Sequence, residues 1–452
     1  MANQTENPNR IGFHYYPDTV HYREKDLQSW LPELKAMGAA WITLCAHPER
    51  AIPEPFISGL ISSGIEPILH FQLPLPFPKR SPTLELLLRT YARWGVRYAA
   101  LFDRPNLRQA WAPSAWTQSE VAEQFLDMYI PLAGCVIQAG MVPVFPPLEP
   151  GGDYWDTVFL QTALRSLQRR NQTQLLECLA LSAYAWVGDR PISWGAGGPE
   201  RWPRTYPYHT PSGSEDQRGF RIFDWYLQIA LSELGAPRPL LLLRAGWFPR
   251  HIPIDTDGKP DHHQHASSML EIAQAMQAKT LPASNPLGSV PPEVLACNFW
   301  LLAAAPESPH ANQAWFQSDG TRLPAAAAIR KMAANQIDSA VTENLISKSS
   351  RNRLNSQSGQ NSLSESSSRP ISHYLLVPLY AWGISEWDLE NIRPIIEKYH
   401  PTVGFSLDEA RLADRVTIAG GSKAFTEKDL QHLRSAGCSL EIIEAGGKIV
   451  PI

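Results

Sequence analysis

Two arginines, two acids and a group of ring-bearing side chains are the residues of this sequence whose types and places suggest chemistry. Arg104 stands in Asp103-Arg104-Pro105-Asn106 at the end of one apolar run, and Arg244 opens Arg244-Ala245-Gly246-Trp247 at the end of another. A guanidinium keeps its proton, with a pKa above ~12, and has no lone pair to offer, so it neither protonates a leaving group nor attacks carbon. Its planar fork instead matches the oxygens of a carboxylate or a phosphate. Two arginines facing one cavity repel unless something negative lies between them. Asp103 and Glu149, the latter in "PPLEPGG", are the candidates within the chain. Each arginine is then either a strut salt-bridged to a neighbouring acid or a holder of an anionic ligand.

Around these lie residues suited to polar and stacking contacts. His14 and Tyr16 alternate along one apolar run and His70 and Gln72 along another, the period that turns side chains to one face of a strand. Trp186, Trp194, Trp202, Trp247 and Trp300 fall at or beyond the ends of such runs, and Tyr184 sits two residues before Trp186. Flat indole faces there can stack on the apolar face of a ring-shaped ligand or seal the loops, with Trp247 and Trp300 favoured for ligand contact. "DHHQH" at 261–265 has metal-ligand composition, yet zinc needs converging ligands from elsewhere, so it reads as solvated loop and helix start. The expectation is no metal and no cofactor. Neither a G-x-S-x-G elbow nor a P-loop is present.

Eight short apolar runs must position these side chains. They cover 11–17, 39–46, 65–72, 96–102, 141–147, 175–184, 239–247 and 294–302, with amphipathic stretches between them. Glycines at 38, 64, 95, 140 and 235 fall where helices would close and strands begin. Eight β-α repeats in ~300 residues predict a closed (β/α)8 TIM barrel, whose site lies where strands end and helices have not begun. The longest such connections follow the sixth and seventh runs, and the Trp and Tyr content of the first predicts an ordered wall.

A Ser- and Asn-rich segment at 337–371 predicts a flexible linker between the barrel, 1–336, and a small α/β module, 372–452, with a parallel sheet. Within the module, Ser406 with Glu409 predicts a helix-capping box, and Ser385 with Asp388 and Thr426 with Asp429 weaker ones. At 452 residues, 44% hydrophobic and 19% charged, the chain has the composition of a soluble globular protein; no apolar run approaches the ~18 to 20 residues that span a bilayer. Forty basic against 44 acidic side chains, net charge -4, leave no broad basic footprint for nucleic acid. The polar opening "MANQTENPNR" predicts a cytoplasmic protein, and the five scattered cysteines predict buried reduced thiols.

With the strands so placed, residues 10–335 resemble the glycoside hydrolases of the large retaining clan. Their barrels carry Asn-Glu-Pro after strand four and a Glu-x-Gly-Trp-like motif after strand seven, the first Glu acting as acid/base and the second as nucleophile. Here Asp103-Arg104-Pro105-Asn106 stands for the first motif and Arg244-Ala245-Gly246-Trp247 for the second, so both carboxylates read as arginine. "AWFQSDGTRLPAAAAIRKM" at 314–332 also looks like the end of such barrels. Retaining hydrolysis needs two carboxyls about 5 Å apart, and an inverting pair stands roughly 6.5–9.5 Å apart around a water.

The resemblance therefore implies a carbohydrate-binding, glycoside-hydrolase-like barrel without the standard double displacement. Arg104 and Arg244 would orient an anionic sugar, and His14, Tyr16, His70, Gln72, Asn106, Tyr184, Trp186, Trp247 and Trp300 would complete the site. The small module lies outside the resemblance and is expected to recruit a protein partner. Two alternatives stay open: an active hydrolase in which Asp103 and Glu149 replace the lost acids, and a scaffolding protein.

Overall fold

The computed structural model describes residues 9–116, 120–247, 261–277, 289–317, 320–335, 371–378, 386–399, 401–420, 425–444 and 448–451. They fall into two compact units, one on each side of residues 336–370. Residues 337–370 of the expected linker, the larger part of the loop after the seventh strand and the Ser385 cap lie outside the described residues; Ile371, assigned to the linker from sequence, opens a strand.

In the first unit, strands and helices alternate: β1 (Ile11–His14), α1 (Glu24–Ala36), β2 (Trp41–Ala46), α2 (Glu54–Ser62), β3 (Glu66–Phe71), α3 (Pro82–Arg93), β4 (Tyr98–Leu101), α4 (Pro113–Trp116), α5 (Val121–Gln138), β5 (Val142–Val144), α6 (Asp156–Arg169), α7 (Thr173–Cys178), β6 (Leu181–Trp186), α8 (Gly198–Arg201), α9 (Ile222–Leu234), β7 (Leu240–Gly246), α10 (His262–Gln277), β8 (Val294–Phe299) and α11 (324–335). All eight strands are parallel, in the order β5-β4-β3-β2-β1-β8-β7-β6. Between β5 and β6 the sheet closes through a parallel bridge, Val144 to Ala180, with the Phe145 N–H donating to the Ala180 carbonyl at 2.8 Å. This is the (β/α)8 barrel expected from the alternation.

The strands are shorter than the apolar runs. β5 stops at Val144 because Pro146 and Pro147 follow and cannot donate to a ladder. The run at 175–184 splits: Leu175 and Leu176 are buried on α7, and the strand begins only at Leu181. Leu-Leu-Glu-Cys lacks β-branched residues and favours a helical turn, a distinction that apolar runs alone do not make. Two cores result. One packs helices against the outside of the sheet; the other fills the barrel with Trp41, Ile68, Tyr98, Ala100, Val144, Leu241, Leu243, Ala296 and others.

The second unit is a mixed sheet ordered β10-β9-β11-β12-β13, from β9 (Ile371–Leu376), β10 (Thr402–Gly404), β11 (Ala413–Ile418), β12 (Ser439–Glu444) and β13 (Lys448–Pro451). Four strands are parallel as expected; β13, unforeseen, returns antiparallel on β12. Helices cover both faces: α12 (Glu386–Tyr399) packs Ile392 and Ile395 on Leu375 and Val377, while α13 (Leu407–Ala410) and α14 (Glu427–Ser435) bury Ala410 and Leu433 with Tyr374 and Leu376. The caps are ranked opposite to the sequence reading. Thr426 and Asp429 close a full box, whereas the Glu409 carboxylate accepts instead from the Tyr374 hydroxyl, leaving Ser406 a one-way cap.

Candidate functional site at the barrel mouth

Two local irregularities deliver the charged side chains to the carboxyl ends of the strands. The first is the corner after β4. Phe102 and Arg104 both adopt positive φ, 73° and 46°, a region that costs non-glycine residues about 1–3 kcal/mol each and needs outside support. That support comes from backbone bonds, Phe102 N–H to the Phe71 carbonyl (2.7 Å) and Arg104 N–H to the Pro147 carbonyl (2.9 Å).

The second irregularity is a bulge in β7. Leu240 and Leu242 pack outward and Leu241 and Leu243 inward, so strict alternation would turn Arg244 out toward the helices. Three residue steps, Leu242 to Ala245, span the interval that two steps cover on β8, Cys297 to Phe299. Ala245 again packs outward, and Arg244 is turned in next to Leu243.

At the mouth the two arginines have different partners. Arg104 donates through Nε to Asp103 Oδ2 (3.1 Å) and through Nη1 to Glu149 Oε2 (3.4 Å). The guanidinium of Arg244 stands 4.6 Å from the Tyr184 ring and 4.4 Å from the Trp300 ring, and no carboxylate among the described residues lies within salt-bridge distance. Its Nε is buried without a hydrogen-bond partner there. Tyr184 serves both sides of the site: its hydroxyl donates to Asp103 Oδ1 at 2.6 Å and its face underlies both cations, Arg104 at 6.0 Å.

Burial alone would raise the Asp103 carboxyl; the charges of Arg244 and Arg104 outweigh it and hold the group below the ordinary carboxylate range. At Glu149 burial prevails over Arg104, and the carboxyl lies above its ordinary value. For Arg104 the loss of solvation is more than offset by Asp103, Tyr184 and Glu149, so it binds its proton more firmly than usual. An open cleft of about 340 Å³ lies over this corner, lined by Gln72, Leu73, Asp103, Arg104, Leu107, Gln109 and Ala110.

The other candidates divide between the mouth and its supports. His14 and His70 are fully buried inside the barrel; His14 meets Trp300 edge-on at 4.7 Å, and His70 Nε2 hydrogen-bonds the Phe102 carbonyl at 3.0 Å. Burial pushes His14 well down and His70 to about 4, so both imidazoles stay neutral. Gln72 reaches the cleft rim and donates to Cys45 Sγ. Tyr16 stands apart, its ring stacked on His21 at 4.1 Å. Asn106 is buried and clamps the next loop: its amide donates to the carbonyls of Glu149 and Tyr154, and its carbonyl accepts from the Glu149 N–H, all at 2.9 Å.

Trp300 is 3% exposed and donates from Nε1 to Gln313, and Trp186 packs edge-on against it. Trp247 and Trp300 border a small cavity of about 20 Å³ with His262, His265 and Gln313. Trp194 and Trp202 tie down the long loop after β6, Trp194 donating to buried Asp216 and Trp202 to the Ala196 carbonyl. Asp216 also gathers Arg190, Thr210 and Arg218, which orders the loop foreseen as a wall.

His262 opens α10 as expected, capped by Asp261, whereas His265 is buried against Trp315 rather than solvated. No group of three metal-ligating side chains occurs among the described residues. No disulfide joins the five cysteines; Cys45, Cys297 and Cys438 are buried, Cys135 half-buried and Cys178 exposed.

Sequence reasoning missed three residues of the site's surroundings. His310 meets Trp300 edge-on at 5.2 Å from an aperiodic Pro- and Ser-containing loop. Cys45 lies beneath His14 and Gln72. Asp156, fully buried, accepts from the Gly151 N–H, Gln217 and Tyr226 and so holds the loop that carries Glu149.

No family model matches the sequence, and no curated protein matches it. Among solved structures, similar chains include glycoside hydrolases. One is a family 39 glycoside hydrolase from the gut symbiont Bacteroides cellulosilyticus WH2, 11% identical, with 72% of this chain and 64% of that one aligned and a TM-score of 0.45. A second is a 4-O-α-L-rhamnosyl-β-D-glucuronidase from Fusarium oxysporum 12S, at 9%, 72%, 69% and 0.41 respectively. A third is a family 128 endo-β-1,3-glucanase from Sorangium cellulosum, at 12%, 71%, 97% and 0.38. The chain thus spans about two thirds of the first two and nearly all of the third. At these identities the likeness concerns the fold alone. No helix among the described residues is long and apolar enough to cross a membrane.

Proposed function

We propose that the barrel mouth binds a carbohydrate bearing an anionic group, a uronate, sialate-like or phosphorylated sugar, without hydrolysing it by double displacement. The observation that carries this reading is the unequal pairing of the two arginines. Arg104 engages both nearby acids, so neither carboxyl stands clear of a cation. Arg244 has two aromatic faces and no acid at contact among the described residues, which suits its fork to an incoming carboxylate or phosphate. In this reading Gln72, Gln109 and the cleft rim take sugar hydroxyls, while the small module recruits a protein partner and the chain works in the cytoplasm.

The test is calorimetric titration of the full chain with D-glucuronate and glucose, beside Arg244→Ala. A charge-assisted fork contributes ~1.5–3 kcal/mol, so the variant is expected to lose ten- to hundredfold in affinity for the acid and to stop preferring it over glucose. Unchanged affinity and selectivity in Arg244→Ala would reject the proposal.

One observation favours a second reading, an active hydrolase. Glu149 sits above and Asp103 below the ordinary carboxylate range, the split expected of an acid and its partner base. In that case the wild type cleaves chromogenic glycosides and the Asp103→Asn, Glu149→Gln double variant does not.

A further inference from the structure

Glu149 is held in an unusual way. Its backbone is clamped on both sides by Asn106, and the following turn is fixed by the Gly151 N–H donating to Asp156 at 2.9 Å. Its carboxylate, by contrast, makes a single hydrogen bond among the described residues, to Arg104 at 3.4 Å. Charge-assisted N–H···O bonds ordinarily measure ~2.7–2.9 Å, so this one is long and weak. Asp103 differs in both respects, being next to Arg104 in the chain and fixed at its other oxygen by Tyr184. Arg104 thus has its shorter contact, 3.1 Å, on its Nε edge and its longer one, 3.4 Å, on its Nη edge. The Nη edge is the one a planar acid would use, and the 340 Å³ cleft opens beside Arg104.

We propose that Glu149 is a built-in surrogate on Arg104 for a ligand acid group that Arg104 and Arg244 share, and that an anionic sugar binds by taking its place as Glu149 gains a proton. This rests on the anionic-sugar reading above and adds its regulation. Among the described residues, two acids and two arginines balance at the mouth, so an arriving monoanion leaves an excess negative charge there unless one acid is neutralised. Glu149 is the acid to do so, since burial already favours its protonated form while Asp103 is held ionised by both arginines. The charged and titratable groups around it are Asp103 and Arg104 from the corner after β4 and Arg244 from β7. Beyond them lie Asp156 on α6 and Tyr226 on α9, with Arg218 packed over Gly151.

The experiment is calorimetric titration of the full chain with D-glucuronate between pH 5.5 and 8, where that carboxylate stays ionised, with glucose as the neutral control. Wild-type affinity for glucuronate is expected to rise as pH falls, by up to about tenfold per pH unit above the Glu149 pKa, the limit for one linked proton. Glu149→Gln, and independently Glu149→Ala, are expected to bind at pH 8 as tightly as the wild type at pH 5.5, with no slope. Asp156→Asn is expected to keep the wild-type slope, which separates the two carboxyls of this loop. Glucose 6-phosphate at pH 8 distinguishes the acid groups: a gain in Glu149→Gln for glucuronate alone identifies a carboxylate, and an equal gain for both identifies any oxyanion. Wild-type binding of glucuronate without pH dependence would overturn the surrogate role and leave the anionic-sugar reading standing, as would a Glu149→Gln variant that keeps the slope. No binding to any of these proteins at any pH would overturn both.

Discussion

Replacing Arg104 with methionine tests whether that side chain is the charge that holds the mouth together. Its guanidinium lies 3.1 Å from one carboxylate and 3.4 Å from another. At an effective dielectric of about 20, each contact corresponds to roughly 5 kcal/mol of Coulomb attraction, much of it offset by the loss of hydration. Without the cation, Asp103 and Glu149, only 12% and 20% exposed, face each other with Arg244 as the remaining nearby positive charge. Breaking a buried pair costs about 3–5 kcal/mol; Arg104 is 32% exposed, so solvent screening brings the expected loss at pH 8 to roughly 2–3 kcal/mol.

The sign of the pH dependence follows from the two states. In the wild type, Asp103 is held below its ordinary range, so its stabilisation is present above the unfolded carboxyl value and fades as pH falls through the folded one. In Arg104→Met both acids are pushed up, the folded state takes up protons more readily, and stability falls as pH rises. The gap between variant and wild type should therefore widen from pH 5 to pH 8. Guanidinium unfolding followed by tryptophan fluorescence reads this from the barrel, since all but Trp382 and Trp387 of the 15 tryptophans precede residue 336. Adding Asp103→Asn and Glu149→Gln to the variant should recover most of the loss. A change below about 0.5 kcal/mol at pH 8, or an equal gap at both pH values, refutes the reasoning.

Asp156 gives a second pH signature. Burial pushes its carboxyl up to about 6 against the hydrogen bonds from Gly151, Gln217 and Tyr226, so its contribution is full below the unfolded value and is lost as pH rises through 6, by about 3 kcal/mol in all. Asp156→Asn should flatten the unfolding midpoint between pH 4 and 7; an unchanged profile would refute the assignment. Tyr184→Phe removes the 2.6 Å hydrogen bond to Asp103 but keeps the ring under both arginines. It should cost about 1.5–3 kcal/mol in the same unfolding assay while leaving glucuronate selectivity intact; loss of selectivity with unchanged stability would contradict it.

The barrel was legible because its strands and helices carry different periods, and positive-φ helix ends such as Gly38 at 66° and Gly140 at 85° fall where glycines mark them. The boundaries were less so. An apolar run continues through α7 into β6 without changing composition, and the prolines that end β5 are themselves apolar. Asp103 was visible as the neighbour of a conspicuous arginine and Glu149 as the acid that follows the fifth run; that Glu149 meets Arg104 rather than Arg244, from 45 residues away, is set by the fold. His310 and Asp156 were invisible for a related reason: their roles depend on contacts between loops, which leave no period in the chain.

Arg244 is the sharpest case of what alternation cannot read. In Leu-Leu-Leu-Leu-Arg-Ala-Gly every second residue faces inward until the bulge inserts one, and the registers against β6 and β8 reveal the change of face. The same step pairs Arg244 with Tyr184, whose hydroxyl holds the corner that two left-handed residues create on the other side of the mouth. Neither device would assemble the site alone. With a regular β7, Tyr184 would still bind Asp103 but Arg244 would point to the helices; with a relaxed corner, Asp103 would leave Tyr184 and Arg104 would lose its contact with Asp103. The arrangement of two cations over one tyrosine ring thus depends on a pair of local departures from ideal geometry, each supported by backbone hydrogen bonds that cross between strands.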